Sequence, residues 1–228
     1  MIKIENVETY GWEAAIRGMR NPMNSWDKSD SWFWVRGSGL NQAWGITENV
    51  PDFTYGVHLG EKDLNLMKNL SSAGNDHGKF LRMLPVTLDI TTHHAWWAEF
   101  DTYKVSTVRN SCSKMHKIHV KEFVKDDFST EGIDAVGGEV SKHFDKTVKT
   151  LEWLRVQFNK TQEKKYWRAI IELLPMGYNI RATVMLNYAV LKNMYHARKN
   201  HKLDEWHTFC EWVETLPYSR ELIVGNGI

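Results

Sequence analysis

Arg109, Cys112, Lys114 and His116 stand close together in one polar run, STVRNSCSKMH, at residues 106–116. Guanidinium, ammonium and hydroxyl groups in such a run are donors for an anion, and cations around a thiol favour its nucleophilic form. Cys112, with Ser111 and Ser113 beside it, is therefore the candidate nucleophile, although a small half-buried thiol without chemistry is the plainer account of it. The pair His93 and His94 has no carboxylate or third histidine at ligand spacing, so a helix-start position explains it better than a metal. A second segment, NYAVLKNMYHARKNH at residues 187–201, puts Asn187, Leu191 and Arg198 close to one helical face, with Asn193 an adjoining turn away. Amides can read a base or ribose edge and a guanidinium grips phosphate in fork geometry, so the two segments together suit a nucleotide. The alternative is an N-cap asparagine plus solvated polar residues near a helix C-terminus. The chain carries no GxGxxG, P-loop, HExxH or GxSxG.

The elements that must position these groups follow from periodicity. Residues 85–90 alternate apolar and polar positions, with Val86, Leu88 and Ile90 on one face of a half-buried strand. Trp96, Trp97, Phe100 and Tyr103 then recur at helical spacing, with Glu99 and Lys104 beside the stripe and Thr91 or Thr92 as the cap. The run at 106–116 reads as a loop. Residues 2–7 predict a strand, and 12–19 and 60–70 predict helices, the second stopped by Gly74. A long amphipathic helix is expected over 139–159, with Val140, Phe144, Val148, Leu151, Leu154 and Phe158 on its apolar stripe. A further helix runs over 162–174, and a strand over 178–186. Asn187 caps the next helix, and Asp204 opens the last. Residues 21–54 hold four Trp among scattered turn residues and sustain no period, so they read as a Trp-rich insertion. The mixed order implies one domain over residues 1–228 of class α+β, with a small mixed or antiparallel sheet and long helices.

Composition narrows the function. At 228 residues, with 42% hydrophobic and 25% charged residues, the chain has the make-up of a folded globular protein rather than a disordered one. A net charge of +1 argues against coating nucleic-acid phosphates, so any anion site is local. Two cysteines without a CxxC give neither a disulfide framework nor a zinc site. No apolar run approaches the length of a membrane span and the chain opens on MIKIENVETY, so a cytoplasmic protein with no membrane partner is expected. Eleven Trp exceed what the composition otherwise suggests. A Trp can stack on flavin, pterin or nucleobase rings, but packing is the simpler account of any one of them.

The order of helix, Gly-x-x-His, strand, aromatic helix, polar run, Leu-Pro, strand and Asn-rich helix resembles the flavin-dependent thymidylate synthases, over about residues 64–198. The signature of that family, RHRxxSxNExSxRY, falls without gaps on TYKVSTVRNSCSKM at residues 102–115. Lys104, Thr107 and Lys114 are conservative replacements there; Thr102, Tyr103, Arg109, Asn110 and Cys112 are not. Glu99 falls where the family usually has a Gln that touches the nucleotide, and His77 falls on the family's upstream His. Asn187, Leu191, Asn193 and Arg198 fit the family's NxxxLxNxxxxR helix, with Ala189 where an Arg is usual. The resemblance implies a fold like that of the thymidylate synthase complementing proteins, assembled as a homotetramer. It also implies FAD as cofactor, with NADPH and methylenetetrahydrofolate as reductant and carbon donor for methylation of dUMP. It assigns His77, Tyr103, Lys104, Asn187 and Asn193 to the cofactor, and Arg198, Lys114, Cys112 and Glu99 to the nucleotide. It names no catalytic nucleophile. Thr102 and Lys104, in place of two Arg, should weaken the grip on phosphates, because Lys cannot reproduce the fork and Thr carries no charge.

Two functions follow. In the first, the chain is a divergent enzyme of this kind acting on a uridine nucleotide. In the second, the fold is kept without catalysis, as a nucleotide-, nucleic-acid- or protein-binding module that uses residues 21–54 for its partner.

Overall fold

Alternating burial along two strands gives the sheet one apolar face and one polar face. The structure, a computed structural model, describes residues 2–37 and 53–225. In chain order its elements are β1 (Lys3–Thr9), α1 (Trp12–Arg20), β2 (Trp32–Gly37), β3 (Phe53–His58), α2 (Glu61–Ser72), β4 (Pro85–His93) and α3 (His94–Phe100). There follow β5 (Val108–Ser111), α4 (Lys114–Lys117), α5 (Glu131–Val136), α6 (Gly138–Thr161), α7 (Lys164–Leu173), β6 (Asn179–Asn187), α8 (Tyr188–Arg198) and α9 (Asp204–Glu214). A four-stranded sheet has the order β1-β4-β6-β5, and β2 and β3 form a separate antiparallel pair. The class is α+β with small sheets and long helices, as the periodicity predicts. Among the described residues no helix is long and apolar enough to cross a membrane.

The chain divides into two compact units. The first comprises Met1–Val7, Thr87–Met185 and Arg198–Cys210. In β4 Leu88 and Ile90 are buried, and in β6 Ile180, Ala182 and Val184, every second residue as a pleated strand requires. The opposite face is polar. There Asp89 accepts hydrogen bonds from Asn6 of β1 at 2.7 Å and from Arg181 and Thr183 of β6 at 2.7 and 2.6 Å, tying three strands together. The Thr183 hydroxyl, then Arg181 and Asn6, hold the Asp89 carboxyl well below the usual carboxylate range.

Two aromatic and aliphatic clusters complete this unit. Trp96, Trp97 and Phe100 of α3 are buried, and Trp96 packs on Trp206 with ring centroids 4.6 Å apart and on Phe209 at 5.7 Å. In the other cluster Phe144, Val148, Leu151 and Leu154 of α6 pack with Ile170 of α7 and with Ile118, Phe123 and Phe128. The predicted stripe is therefore largely buried, except that Val140 at its start is exposed.

The second unit comprises Glu8–Val86, Leu186–Ala197 and Glu211–Ile228. Its best-tied node is the buried pair of Arg20 and Asp63, 2.6 Å apart. Asp63 Oδ2 also accepts from the Ser29 and Ser31 hydroxyls at 2.6 and 2.7 Å. Burial works against the Asp63 charge, but these hydroxyls and Arg20 outweigh it and keep its pKa lowered. Trp12 meets Tyr188 edge-on at 5.4 Å and Tyr218 at 5.6 Å. Gly11, at φ +80°, precedes α1 where a Cβ would sit 2.0 Å from the Met83 carbonyl oxygen, so both the turn and the space demand glycine.

Three expectations change. Thr91 and Thr92 do not cap α3 but continue β4; the cap is His93, whose Nδ1 accepts from Trp96 N at 3.3 Å. The run at 106–116 is not one loop. Residues 108–111 pair antiparallel with β6, the ladder continues from Cys112 N to Arg181 O at 3.1 Å, and α4 follows, capped by Ser113. The insertion contains two short 3-10 turns, Asn21–Met23 and Trp26–Lys28, and the β2–β3 pair; its residues 38–52, including Trp44, lie outside those described.

Candidate functional site

Helix α3 and the strand after it place two polar clusters in the first unit. The first is centred on a single carboxylate oxygen. Glu99 Oε2 lies 2.7 Å from Arg198 Nη1, 3.0 Å from Trp206 Nε1 and 3.0 Å from His201 Nε2. Arg198 Nε donates to the Tyr103 hydroxyl at 2.9 Å, and its guanidinium carbon sits 5.0 Å from the Trp206 ring centroid and 5.5 Å from that of Tyr103. His201 Nδ1 accepts from Leu203 N at 3.1 Å, which puts the proton of a neutral ring on Nε2, where it donates to Glu99. Glu99 and Tyr103 share a face because they are four apart across the end of α3; Arg198 arrives from the last turn of α8.

The second cluster is cationic. Lys114 Nζ donates to His94 Nε2 at 2.7 Å, bringing the first residue of α4 to the first residue of α3. Burial, then the Lys114, Arg109 and His93 charges, push the His94 ring down to about 4, so it is neutral near pH 7. Burial and Arg109 likewise lower Lys114, with Cys112 acting in the opposite direction. Arg109, on β5, lies with its guanidinium carbon 4.5 Å from the Trp97 ring centroid. Its buried Nη1 is 3.0 Å from Asp101 Oδ2 but has no aligned acceptor, so that contact is an ion pair rather than a hydrogen bond. The Tyr178 ring stacks on His94 at 6.4 Å, and burial raises its hydroxyl to about 12. Among the described residues neither Lys114 nor His94 pairs with a carboxylate. Cationic groups gathered without a full set of counter-charges suit an anion with several acceptor oxygens.

The residues singled out from sequence thus separate. Glu99, Tyr103 and Arg198 converge, although Tyr103 was assigned to a cofactor and the other two to a nucleotide. Lys114 lies in the other cluster, and Cys112, near it, is exposed rather than half-buried. Lys104 is exposed. In the second unit Asn187 is buried and caps α8, its Oδ1 accepting from Val190 N at 3.1 Å, while Asn193 and His77 are exposed. His94, His201 and Trp206 were missed. The sequence signal for His94 was its place beside a second histidine at a strand-to-helix junction, and for His201 its place one turn past Arg198. Among the described residues no three His, Cys, Asp or Glu side chains gather as metal ligands.

Two solved structures of flavin-dependent thymidylate synthase ThyX from Helicobacter pylori, both with FAD and dUMP, share this fold. One has a TM-score of 0.65 at 15% identity, covering 97% of each chain. The other has 0.66 at 16% identity, covering 98% of this chain and 97% of that one. No family model and no curated protein sequence matches the chain.

Proposed function

We propose that this chain is a divergent flavin-dependent thymidylate synthase-like protein that binds a uridine nucleotide, with Arg198 and Lys114, which lie in separate clusters, as alternative grips on its phosphate. The observation that supports this reading is the cationic cluster of Lys114 and Arg109 in a fold whose whole length matches proteins holding FAD and dUMP. In the family signature Lys114 occupies the place of an Arg, and a compact ammonium there still supplies charge and donors. Of the residues that the resemblance assigns to the cofactor, Lys104 in the first unit, and His77 and Asn193 in the second, each have an exposed side chain able to supply hydrogen bonds or charge. A flavin, when bound, supplies the redox chemistry, with NADPH as reductant and methylenetetrahydrofolate as carbon donor; the protein binds and orients. Arg198, fixed between Glu99 and Tyr103, meets a phosphate with its remaining N–H groups. Assembly as a homotetramer in the cytoplasm belongs to the same reading.

The test is a visible absorption scan of the purified protein followed by calorimetry with dUMP and uridine. A yellow protein that binds dUMP more tightly than uridine is the expected result. A colourless protein that binds neither overturns the reading.

A second reading is favoured by the β2–β3 pair. Trp32 and Trp34 are exposed, their rings 4.9 Å apart, with the His58 ring tilted at 5.4 Å from Trp32. Such a platform suits a flat aromatic group of a partner, as a binding module would use it.

A further inference from the structure

The hydrogen bond between Lys114 and His94 is an unusual way to store a cation. An ammonium group is best matched by a carboxylate, yet here Lys114 Nζ donates to a ring nitrogen at 2.7 Å. The groups facing His94 are Lys114 from α4, Arg109 from β5, His93 from the preceding residue and Tyr178 beside the ring. None of these brings negative charge, because the Tyr178 hydroxyl stays protonated across the neutral range. The ring is therefore the one base among these groups, and among the described residues its hydrogen-bond partner is the ammonium.

We propose that His94 is itself a ligand of this anion site, and that a dianion enters it together with one proton taken up at His94 Nε2. The proposal rests on the nucleotide-phosphate reading and adds a residue and a proton to it. When a doubly charged oxyanion reaches Lys114 and Arg109, Lys114 Nζ turns to an anion oxygen and releases the imidazole, whose Nε2 and Nδ1 it had approached to 2.7 and 3.4 Å. The approaching negative charge offsets Lys114 and Arg109, whose charges keep the ring neutral in the unliganded protein. A proton from solvent then binds Nε2, and the imidazolium N–H donates to another anion oxygen. Charge balances: Lys114, Arg109 and the imidazolium carry three positive charges against two on the anion and one on Asp101. No bond other than the N–H is made. Between the ring pKa without ligand and its higher value with ligand, binding takes up a proton, so affinity for a dianion rises as pH falls through that window. The site accordingly favours a phosphate monoester as its dianion, and a monoanion draws much less of this response.

Inorganic sulfate tests this without a titrating ligand, since it stays doubly charged across the range. The His94 ring resonances, identified by their loss in His94→Gln, are followed by NMR from pH 4 to 8 with and without sulfate. The expected result is that sulfate moves the His94 titration upward by about one pH unit or more. Sulfate affinity should rise as pH falls in the wild type, and this slope should flatten in His94→Gln, whose amide oxygen still accepts from Lys114. Lys114→Met should lose most sulfate binding, with its near-ultraviolet circular dichroism confirming that it is folded. Sulfate binding that leaves the His94 titration unmoved overturns the proposal while the nucleotide reading stands if dUMP still binds. Sulfate binding unaffected by Lys114→Met overturns it too, by placing the anion elsewhere. Failure of both sulfate and dUMP to bind the wild type overturns the nucleotide reading and the proposal with it. Sulfate binding with the titration shift, but no dUMP binding, supports the proton-linked site and removes only the uridine ligand.

Discussion

Glu99 Oε2 and Arg198 Nη1 lie 2.7 Å apart, so the guanidinium assigned to a phosphate already holds a carboxylate. Of the N–H groups of a guanidinium, one on Nε is taken by Tyr103 and one on Nη1 by Glu99, which leaves the Nη2 end for a ligand. Charge-assisted hydrogen bonds of this kind contribute about 1.5–3 kcal/mol, so Arg198→Ala should weaken dUMP binding on the order of tenfold to a hundredfold. Arg198→Lys should recover only part of the loss. Glu99→Gln removes the competing charge and should tighten dUMP binding, with little change for uridine. Calorimetry on the four proteins decides it; equal dUMP affinity for wild type and Arg198→Ala would refute the phosphate contact.

His94 makes stability fall in mild acid. Its folded-state pKa of about 4 lies below the ordinary value of 6.5, so between those values the unfolded chain binds a proton that the folded chain does not. Stability is full above about pH 6.5 and is lost as pH falls toward about 4. His94→Gln should remove this increment. Urea midpoints across pH 4 to 8 should therefore drop less steeply for the variant; parallel curves would mean that the ring is not held neutral.

The Arg20–Asp63 pair should be costly to break from one side. Asp63→Ala leaves a buried guanidinium and two serine hydroxyls without their acceptor, and breaking a buried pair in this way destabilises by about 3–5 kcal/mol. Equilibrium unfolding in urea measures it, and a loss below about 1 kcal/mol would show that solvent replaces the carboxylate.

Lys104 is exposed and has no charge partner among the described residues, so removing it should leave folding intact. If it serves a flavin phosphate, Lys104→Ala lowers the flavin-to-protein absorbance ratio after purification, with an unchanged thermal midpoint. An unchanged ratio would place the phosphate grip elsewhere.

Much of the fold was legible because burial and periodicity agree. In β4 and β6 every second residue is buried, and in α6 the stripe from Phe144 to Leu154 faces the core. Strand β5 was not legible. Its residues Val108, Arg109, Asn110 and Ser111 contain one β-branched side chain, and what makes them a strand is pairing with residues 182–185 more than seventy positions away. The helix start at His93 and His94 was legible, but the cap was placed on Thr91 or Thr92, because imidazole is an uncommon cap and two threonines stood nearby. For the candidate site, the spacing on α8 pointed to Arg198, and the helical stripe of α3 put Glu99 beside Tyr103. That these meet is a property of chain return over about a hundred residues, which no local pattern encodes. The Lys114–His94 bond is hidden for a similar reason: it needs β5 to turn back along β6 before α4 begins.

Trp97 is clamped at both its ends, its indole N–H donating to the Ile180 carbonyl at 3.1 Å and its ring facing the Arg109 guanidinium carbon at 4.5 Å. An indole held so rigidly under a single cation acts as an electrometer, because its excited-state dipole shifts emission colour with the field across the ring. Any anion that neutralises Arg109, or draws it off the ring, changes that field while the buried indole itself stays dry. If an anion binds at Arg109, the molecule therefore carries an optical gauge of that occupancy, readable as the difference between the emission spectra of the wild type and Trp97→Phe.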